Sequence, residues 1–171
     1  KTINESLDLI AELQNLCIQH NKKIQVYISM AFGNIYNDKY SISILFDYIE
    51  KLINIGIKKI TLADTIAIAD KNIIAKVFKE LNKINNVSFG LHLHSHPKDA
   101  ISKINSAWIN GCRSFDSTIR GFGGCPFAKN ELVGNISTES LINYIQTKKI
   151  KHKINFLALE TARNNSMDIF K

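Results

Sequence analysis

The chain has 171 residues, 45% of them hydrophobic, and its 22 Lys and Arg against 15 Asp and Glu give a formal net charge of +7. This composition is typical of a globular domain with one core, and the sequence contains no run of about 18 apolar residues that could cross a membrane. The lysines are spread along the chain and form no single basic stripe, so we expect no nucleic-acid partner.

The first half of the chain reads as two helix–strand pairs. Apolar residues recur at helical spacing near the start, and a second helix with one apolar face stops at Gly56. A short apolar run follows each helix, as expected for a buried strand. The predicted elements are helix 7–17, strand 24–31, helix 41–55 and strand 58–64.

The alternation continues in the second half, where the helix starts are clearer. Asp70 is a predicted N-cap, and Pro97 suits the first turn of a helix. Ser137 or Thr138 opens a further helix after a glycine loop. The predicted elements are helix 70–84, strand 87–95, helix 97–110, strand 113–119, a helix from 137 and an apolar segment through 156–159.

The spacing of the strands indicates an α/β fold. Successive strands start roughly 30 residues apart, which is the period of βαβ units with parallel strands and helical crossovers. Two architectures fit: an open doubly wound sheet, or part of a (β/α)8 barrel, which needs about 250 residues. Both folds place functional sites at the carboxyl ends of strands, and Asp64, His92, His94 and Asp116 fall there.

Two histidines alternate with two leucines inside the third predicted strand. Residues two apart on a strand share a face, so His92 and His94 point one way while Leu91 and Leu93 pack against helices. Imidazoles about 7 Å apart on one strand face can converge on one cation. This pattern favours metal ligation over a hydrogen-bonded strand end. His96 lies past the strand and is not predicted to be a ligand.

Three further polar residues lie where chemistry is possible. Cys125 follows a glycine loop whose backbone freedom lets the thiol swing over a site as an acid or nucleophile, although an incidental turn cysteine also fits. Asn135 offers an amide oxygen to a hard cation, or caps the next helix. Asp64 could be a ligand or base, or cap the following turn. With Cys17 and Cys112, the chain has too few cysteines for a disulfide framework, which favours a reducing, cytoplasmic compartment.

Taken together, these motifs resemble the 3-hydroxy-3-methylglutaryl-CoA (HMG-CoA) lyase family. Gly-Gly-Cys-Pro at 123–126 and Gly-Asn at 134–135 match the family's cysteine loop and its following asparagine. His92 and His94 match the metal-binding strand, and Asp-Thr-Ile at 64–66 matches a strand end of the family. The order and spacing agree over most of the chain, and the combination of the cysteine loop with His-x-His is specific.

The resemblance implies a fold and a domain organisation. The family is a (β/α)8 TIM barrel, and the matched strands would be its fifth to eighth. Residues 1–171 would then be a single partial domain, the carboxyl-terminal half of the barrel, and the N-terminal half would precede Lys1. The family's first-strand arginine and metal-ligating aspartate would lie in that other half. We therefore expect the 171-residue chain alone to be inactive.

The resemblance also implies a reaction. The full-length protein would cleave 3-hydroxy-3-methylglutaryl-CoA to acetyl-CoA and acetoacetate, as in leucine degradation. His92, His94 and Asn135 would bind a divalent cation, Mg²⁺ or Mn²⁺. Cys125 would protonate the enolate, and Asp64 would hold the substrate or assist proton transfer. We expect an acyl-CoA substrate as the partner and a homo-oligomer at full length.

The chain departs from the family pattern at Ser95, at Thr118-Ile119-Arg120 and by a further residue between Cys125 and Asn135, and two other functions stay open. Ser95 stands where the family usually has aspartate, and Arg120 stands in a loop where small apolar residues are usual. One alternative is a Claisen-condensing acyltransferase of the isopropylmalate or homocitrate synthase type, which also has a His-x-His strand and does not resemble this chain at the cysteine loop. The other is a non-catalytic half-barrel.

Overall fold

The computed structural model describes residues 2–124 and 133–169. Helices and strands alternate along them as the spacing predicts, so the α/β fold class is confirmed. The helices are α1 (Ile3–Gln19), α2 (Ile42–Asn54), α3 (Lys71–Leu81), α4 (Pro97–Ile109), α5 (Thr138–Thr147) and α6 (Phe156–Ile169). The strands are β1 (Val26–Ile28), β2 (Lys59–Asp64), β3 (Ser88–Ser95), β4 (Ser114–Phe115) and β5 (Gly134–Asn135).

The strands form one sheet with β2 and β3 at its centre. Four parallel strands follow the order β1-β2-β3-β4, so each crossover connects neighbouring strands through a helix. The short strand β5 runs antiparallel to the carboxyl end of β3. Within the described part of the chain the sheet is open, because no strand pairs with the outer side of β1 or β4.

The core lies between this sheet and the helices that cover one of its faces. The apolar side of α2 contributes Leu45, Ile49 and Leu52, which are buried. Helix α3 begins at the predicted N-cap Asp70, whose carboxylate accepts hydrogen bonds from two backbone N–H groups of the first turn. The residues that are buried completely include Phe78, Ile49, Ile57, Ile60, Leu62, Ile74, Leu81, Leu91, Leu93 and Ile104.

The two outer strands are shorter than predicted. Strand β1 ends at Ile28 because the chain turns at Met30, whose φ of 54° is left-handed and incompatible with an extended strand. Strand β4 keeps only Ser114–Phe115, and the chain then forms a 3₁₀ turn at Ile119–Gly121. The apolar residues that suggested longer strands therefore lie partly in loops at the carboxyl edge of the sheet.

No helix among residues 2–124 and 133–169 combines the length and the apolar content that crossing a bilayer requires.

Candidate active site

Both predicted histidine ligands lie on one face of β3. His92 and His94 point away from the core, and their ring centroids are 5.2 Å apart with an interplanar angle of 69°. Leu91 and Leu93 alternate with them and are buried in the core. The period of two that suggested the pair is therefore present in the structure, and the two imidazoles lie side by side.

His94 is the more buried of the two rings, with 7% of its surface exposed. Burial lowers the pKa of His94, and the neighbouring His92 lowers that pKa further. Nδ1 of His94 is buried and has no hydrogen-bond partner among the described residues. A neutral imidazole with an unsatisfied buried nitrogen is suited to bind a cation or to accept a hydrogen bond from another group.

His92 is half-buried and hydrogen-bonded to a carboxylate from the next strand along the sheet. Its Nδ1 lies 3.2 Å from Oδ2 of Asp116, which directly follows β4. The hydroxyl of Tyr27 on β1 donates to the same oxygen at 2.9 Å. Burial and this hydrogen bond to Asp116 raise the pKa of Tyr27. These hydrogen bonds join β1, β3 and the residue that directly follows β4.

Strand β5, which was not predicted from the sequence, places Asn135 next to the histidines of β3. Asn135 lies opposite His94 in the antiparallel register of β3 and β5. Its side-chain nitrogen donates to the carbonyls of Phe122 at 2.9 Å and Gly123 at 3.1 Å. Because these bonds occupy the amide nitrogen, the amide oxygen is the atom suited to a cation. The side chain of Asn135, a predicted ligand, therefore also stabilises the glycine loop.

The glycine loop approaches the backbone of β5 closely. Gly121 and Gly123 have φ of 69° and 83°, values that favour glycine. A Cβ at Gly134 would come within 2.8 Å of the carbonyl oxygen of Gly121, so the close approach requires a glycine there. A cavity of about 750 Å³ lies between this loop and the start of α4, with Ser95 and Asn135 in its wall. Cys125, the predicted acid, lies outside the described residues.

Asp64 lies at the end of β2, as predicted, and is 1% exposed. Its two oxygens accept hydrogen bonds from the backbone N–H groups of Ile68 and Ala69, each at 3.0 Å. Burial raises the pKa of Asp64, while the bond from Ala69 and the charge of Lys103 at 4.0 Å oppose that rise. These are the contacts of the turn-capping role, the second of the two roles that the sequence left open.

The donor set fits part of a divalent-cation site. Within residues 2–124 and 133–169, no three His, Cys, Asp or Glu side chains form a group that could hold a metal ion. The two imidazoles and the Asn135 amide instead offer mixed nitrogen and oxygen ligands with positions left open, which Mg²⁺ and Mn²⁺ accept. The unsatisfied nitrogen of His94 is consistent with such a partial set.

Sequence reasoning did not identify the contacts that hold His92. Tyr27 and Asp116 are 89 residues apart, and nothing local in the sequence connects them. The one available signal was that Asp116 follows a predicted strand, at the edge where sites form in this class of fold.

A comparison with protein-family models matches residues 1–165 to a family described as HMGL-like. An (R)-citramalyl-CoA lyase from Chloroflexus aurantiacus is 34% identical over 138 residues, which are 80% of this chain and 43% of that protein. A hydroxymethylglutaryl-CoA lyase from Bacillus subtilis is 28% identical over 163 residues, which are 95% of this chain and 54% of that lyase. The chain thus spans about half the length of the curated relatives that it matches.

Solved structures show the same coverage. The crystal structure of the Bacillus subtilis HMG-CoA lyase superposes with a TM-score of 0.89 at 27% identity, covering 98% of this chain and 56% of that one. An Acinetobacter baumannii HMG-CoA lyase, in complex with coenzyme A and 3-methylmalate, gives a TM-score of 0.81 at 28% identity, covering 93% and 52%. The open sheet therefore matches about half of these lyase structures.

Proposed function

The chain belongs to the HMGL-like family, and from this premise we propose that it is the carboxyl-terminal half of a metal-dependent carbon–carbon lyase. The proposed reaction is the cleavage of 3-hydroxy-3-methylglutaryl-CoA to acetyl-CoA and acetoacetate. The observation that carries the proposal is the convergence of His92, His94 and Asn135 at one edge of the sheet. The family is typically metal-dependent, and HMG-CoA lyases are among the relatives.

His92, His94 and Asn135 are the residues that would hold the cation. A Mg²⁺ or Mn²⁺ ion bound there would lower the pKa of the substrate's β-hydroxyl and help to orient its oxygens. The neutral state of His94, which its burial favours, keeps a nitrogen lone pair available for binding. The hydrogen bonds from Asn135 to the glycine loop place that loop beside the same residues.

The reaction needs one proton removed and one delivered. Loss of the β-hydroxyl proton lets the bond between the α and β carbons break, which leaves a ketone and the enolate of acetyl-CoA. We assign the protonation of that enolate to the thiol of Cys125, which follows Gly124 in the sequence. The resemblance gives Asp64 a role in holding the substrate or assisting proton transfer, whereas its own two backbone hydrogen bonds fix the turn after β2.

A second substrate is favoured by one relative. The (R)-citramalyl-CoA lyase is 34% identical to this chain, and Arg120 departs from the small residues usual for HMG-CoA lyases at this loop. The same bond cleavage in citramalyl-CoA would release acetyl-CoA and pyruvate. The acyl specificity is therefore tested by offering both thioesters, 3-hydroxy-3-methylglutaryl-CoA and citramalyl-CoA, to the same enzyme.

The test uses the full-length protein that contains this chain, loaded with Mn²⁺. We expect acetyl-CoA together with acetoacetate from 3-hydroxy-3-methylglutaryl-CoA, or with pyruvate from citramalyl-CoA if that thioester is the preferred substrate. Cys125→Ala should reduce turnover by orders of magnitude and leave the metal content unchanged. The control Cys17→Ala on α1 should change neither the turnover nor the metal content. Free thiol released from acetyl-CoA and an oxo acid would instead establish the condensing reaction. The proposal is wrong if neither thioester is cleaved.

The remaining expectations concern the whole protein. An acyl-CoA partner is supported by the coenzyme A that the Acinetobacter relative binds. The homo-oligomeric state, the cytoplasmic location and the inactivity of the isolated 171-residue chain stay predictions.

A further inference from the structure

We infer that Asp116 is the positioning residue of His92: it fixes the ring proton on Nδ1 and so leaves Nε2 as the nitrogen that faces a cation. Tyr27 in turn fixes Asp116. The inference rests on the metal site of the proposed function, and it concerns Tyr27 on β1, His92 on β3 and Asp116 directly after β4. Neither Asp116 nor Tyr27 is assigned as a ligand.

The direction of the first hydrogen bond follows from its chemistry. Oδ2 of Asp116 lies 3.2 Å from Nδ1 of His92. A carboxylate oxygen only accepts, so Nδ1 must carry the proton. A neutral imidazole has one N–H, so the other nitrogen, Nε2, keeps its lone pair. This is the tautomer that a ligand bound through Nε2 requires.

The backbone holds Asp116 against the strand that carries His92. The N–H of Asp116 donates to the carbonyl of Leu91 at 3.1 Å, one residue before His92. The backbone of Asp116 is therefore anchored to β3 independently of its side-chain bonds. A metal ligand usually depends on an outer partner held in this way, because an unanchored partner cannot orient the ring.

A chain of hydrogen bonds from β1 and β2 holds the other side of Asp116. The Tyr27 hydroxyl donates to the same oxygen, Oδ2, at 2.9 Å. The side-chain nitrogen of Gln25 donates to the Tyr27 oxygen at 3.1 Å and to the Thr61 hydroxyl oxygen at 2.7 Å. Because the Tyr27 oxygen accepts a hydrogen bond from Gln25, its own O–H is free to donate to Asp116. Oδ2 thus accepts two hydrogen bonds, and because these bonds occupy it, this oxygen is unsuited to act as a metal ligand.

The first test measures the tautomer in metal-free protein. The ring nitrogens of His92 are observed by ¹⁵N NMR in the full-length protein and assigned by their loss in His92→Gln. We expect the Nδ1–H form in the wild type and a mixture of tautomers in Asp116→Ala. Asp116→Asn keeps an accepting oxygen and should retain most of the Nδ1–H form. An unchanged His92 spectrum in Asp116→Ala would overturn the inference.

The second test measures Mn²⁺ affinity by electron paramagnetic resonance. Asp116→Ala should weaken binding about 10- to 100-fold, and Asp116→Asn should weaken it less. Tyr27→Phe should also weaken binding, and adding it to Asp116→Ala should cause no further loss, because Tyr27 acts through Asp116. Equal losses in the alanine and asparagine variants, or additive losses in the double variant, would contradict the inference.

Matched controls and the separation from the proposed function complete the design. Asp47→Asn and Tyr48→Phe change the same residue types on α2, and neither should alter the tautomer or the affinity. If the wild-type protein binds no Mn²⁺, the proposed function fails, whereas the tautomer result still decides whether Asp116 orients His92. If Mn²⁺ binds tightly and the tautomer does not respond, the function stands and the inference fails.

Discussion

We propose that Asn135 binds the cation, and its side chain also holds the glycine loop, so two substitutions are needed to separate these roles. Asn135→Asp keeps an oxygen for the cation but replaces the amide nitrogen that donates to Phe122 at 2.9 Å and Gly123 at 3.1 Å. Asn135→Ala removes both the ligand oxygen and the two donors. Each lost bond contributes about 0.5–1.5 kcal/mol, so the loop 121–124 should be destabilised by about 1–3 kcal/mol in either variant. The carboxylate would in addition face two carbonyl oxygens.

Amide hydrogen exchange measures this loss where it occurs. The N–H groups of Gly121 and Phe122, in the loop, donate to the carbonyls of Thr118 and Ile119, just before it, so they report the opening of the loop. Both variants should exchange about 5- to 150-fold faster there, the factor that corresponds to 1–3 kcal/mol. Only Asn135→Ala should also lose Mn²⁺ affinity. Asn143→Asp on α5 is the matched control.

The reasoning would be refuted by either of two results. Unchanged exchange of the loop in Asn135→Asp would mean that the side-chain hydrogen bonds do not fasten it. Unchanged Mn²⁺ affinity in Asn135→Ala would mean that the amide is not a ligand, even though β5 places it opposite His94.

Three further predictions address the strand face, the buried imidazole and a buried thiol. Gly90→Ala should cost about 1–3 kcal/mol in denaturant unfolding, because the new Cβ would lie 2.8 Å from Oγ1 of Thr61; unchanged stability would contradict this close packing. Folding lowers the pKa of His94 below its ordinary value of 6.5. As the pH falls below 6.5, the unfolded state of the metal-free protein therefore takes up this proton first, and the protein should lose at most about 1.4 kcal/mol of stability per pH unit through this group. That loss should stop below the lowered folded pKa and be absent from His94→Gln, so equal pH profiles would refute it. Burial raises the pKa of the Cys112 thiol to about 12, so iodoacetamide at pH 8 should label Cys17 but not Cys112 until the protein unfolds; rapid native labelling of Cys112 would show that it is accessible.

The central strands and the helices could be predicted because their apolar residues repeat with one period. Strand β3 shows this most clearly, since Leu91 and Leu93 alternate with His92 and His94 and both leucines are buried in the core, as the period of two predicts. The boundaries of β1 and β4 could not be predicted in this way. They depend on where the backbone turns, as at Met30, and apolar residues continue past that point.

The site could be predicted only in part, because its remaining contacts are between distant segments. The His-x-His pattern predicted two candidate ligands, and the amide oxygen of Asn135 was a third candidate, to which the resemblance gave the same role. Strand β5 has two residues and no periodicity, so its pairing with β3 is visible only in three dimensions. The contact of Tyr27 with Asp116 spans 89 residues for the same reason.

The most direct test of the account is the position of a cation in a crystal of the full-length protein soaked with Mn²⁺. Anomalous diffraction should place one ion in contact with both imidazoles of β3 and with the amide oxygen of Asn135. An ion bound elsewhere, with His92 and His94 making no contact to it, would contradict the assignment of this face of the sheet as the metal site.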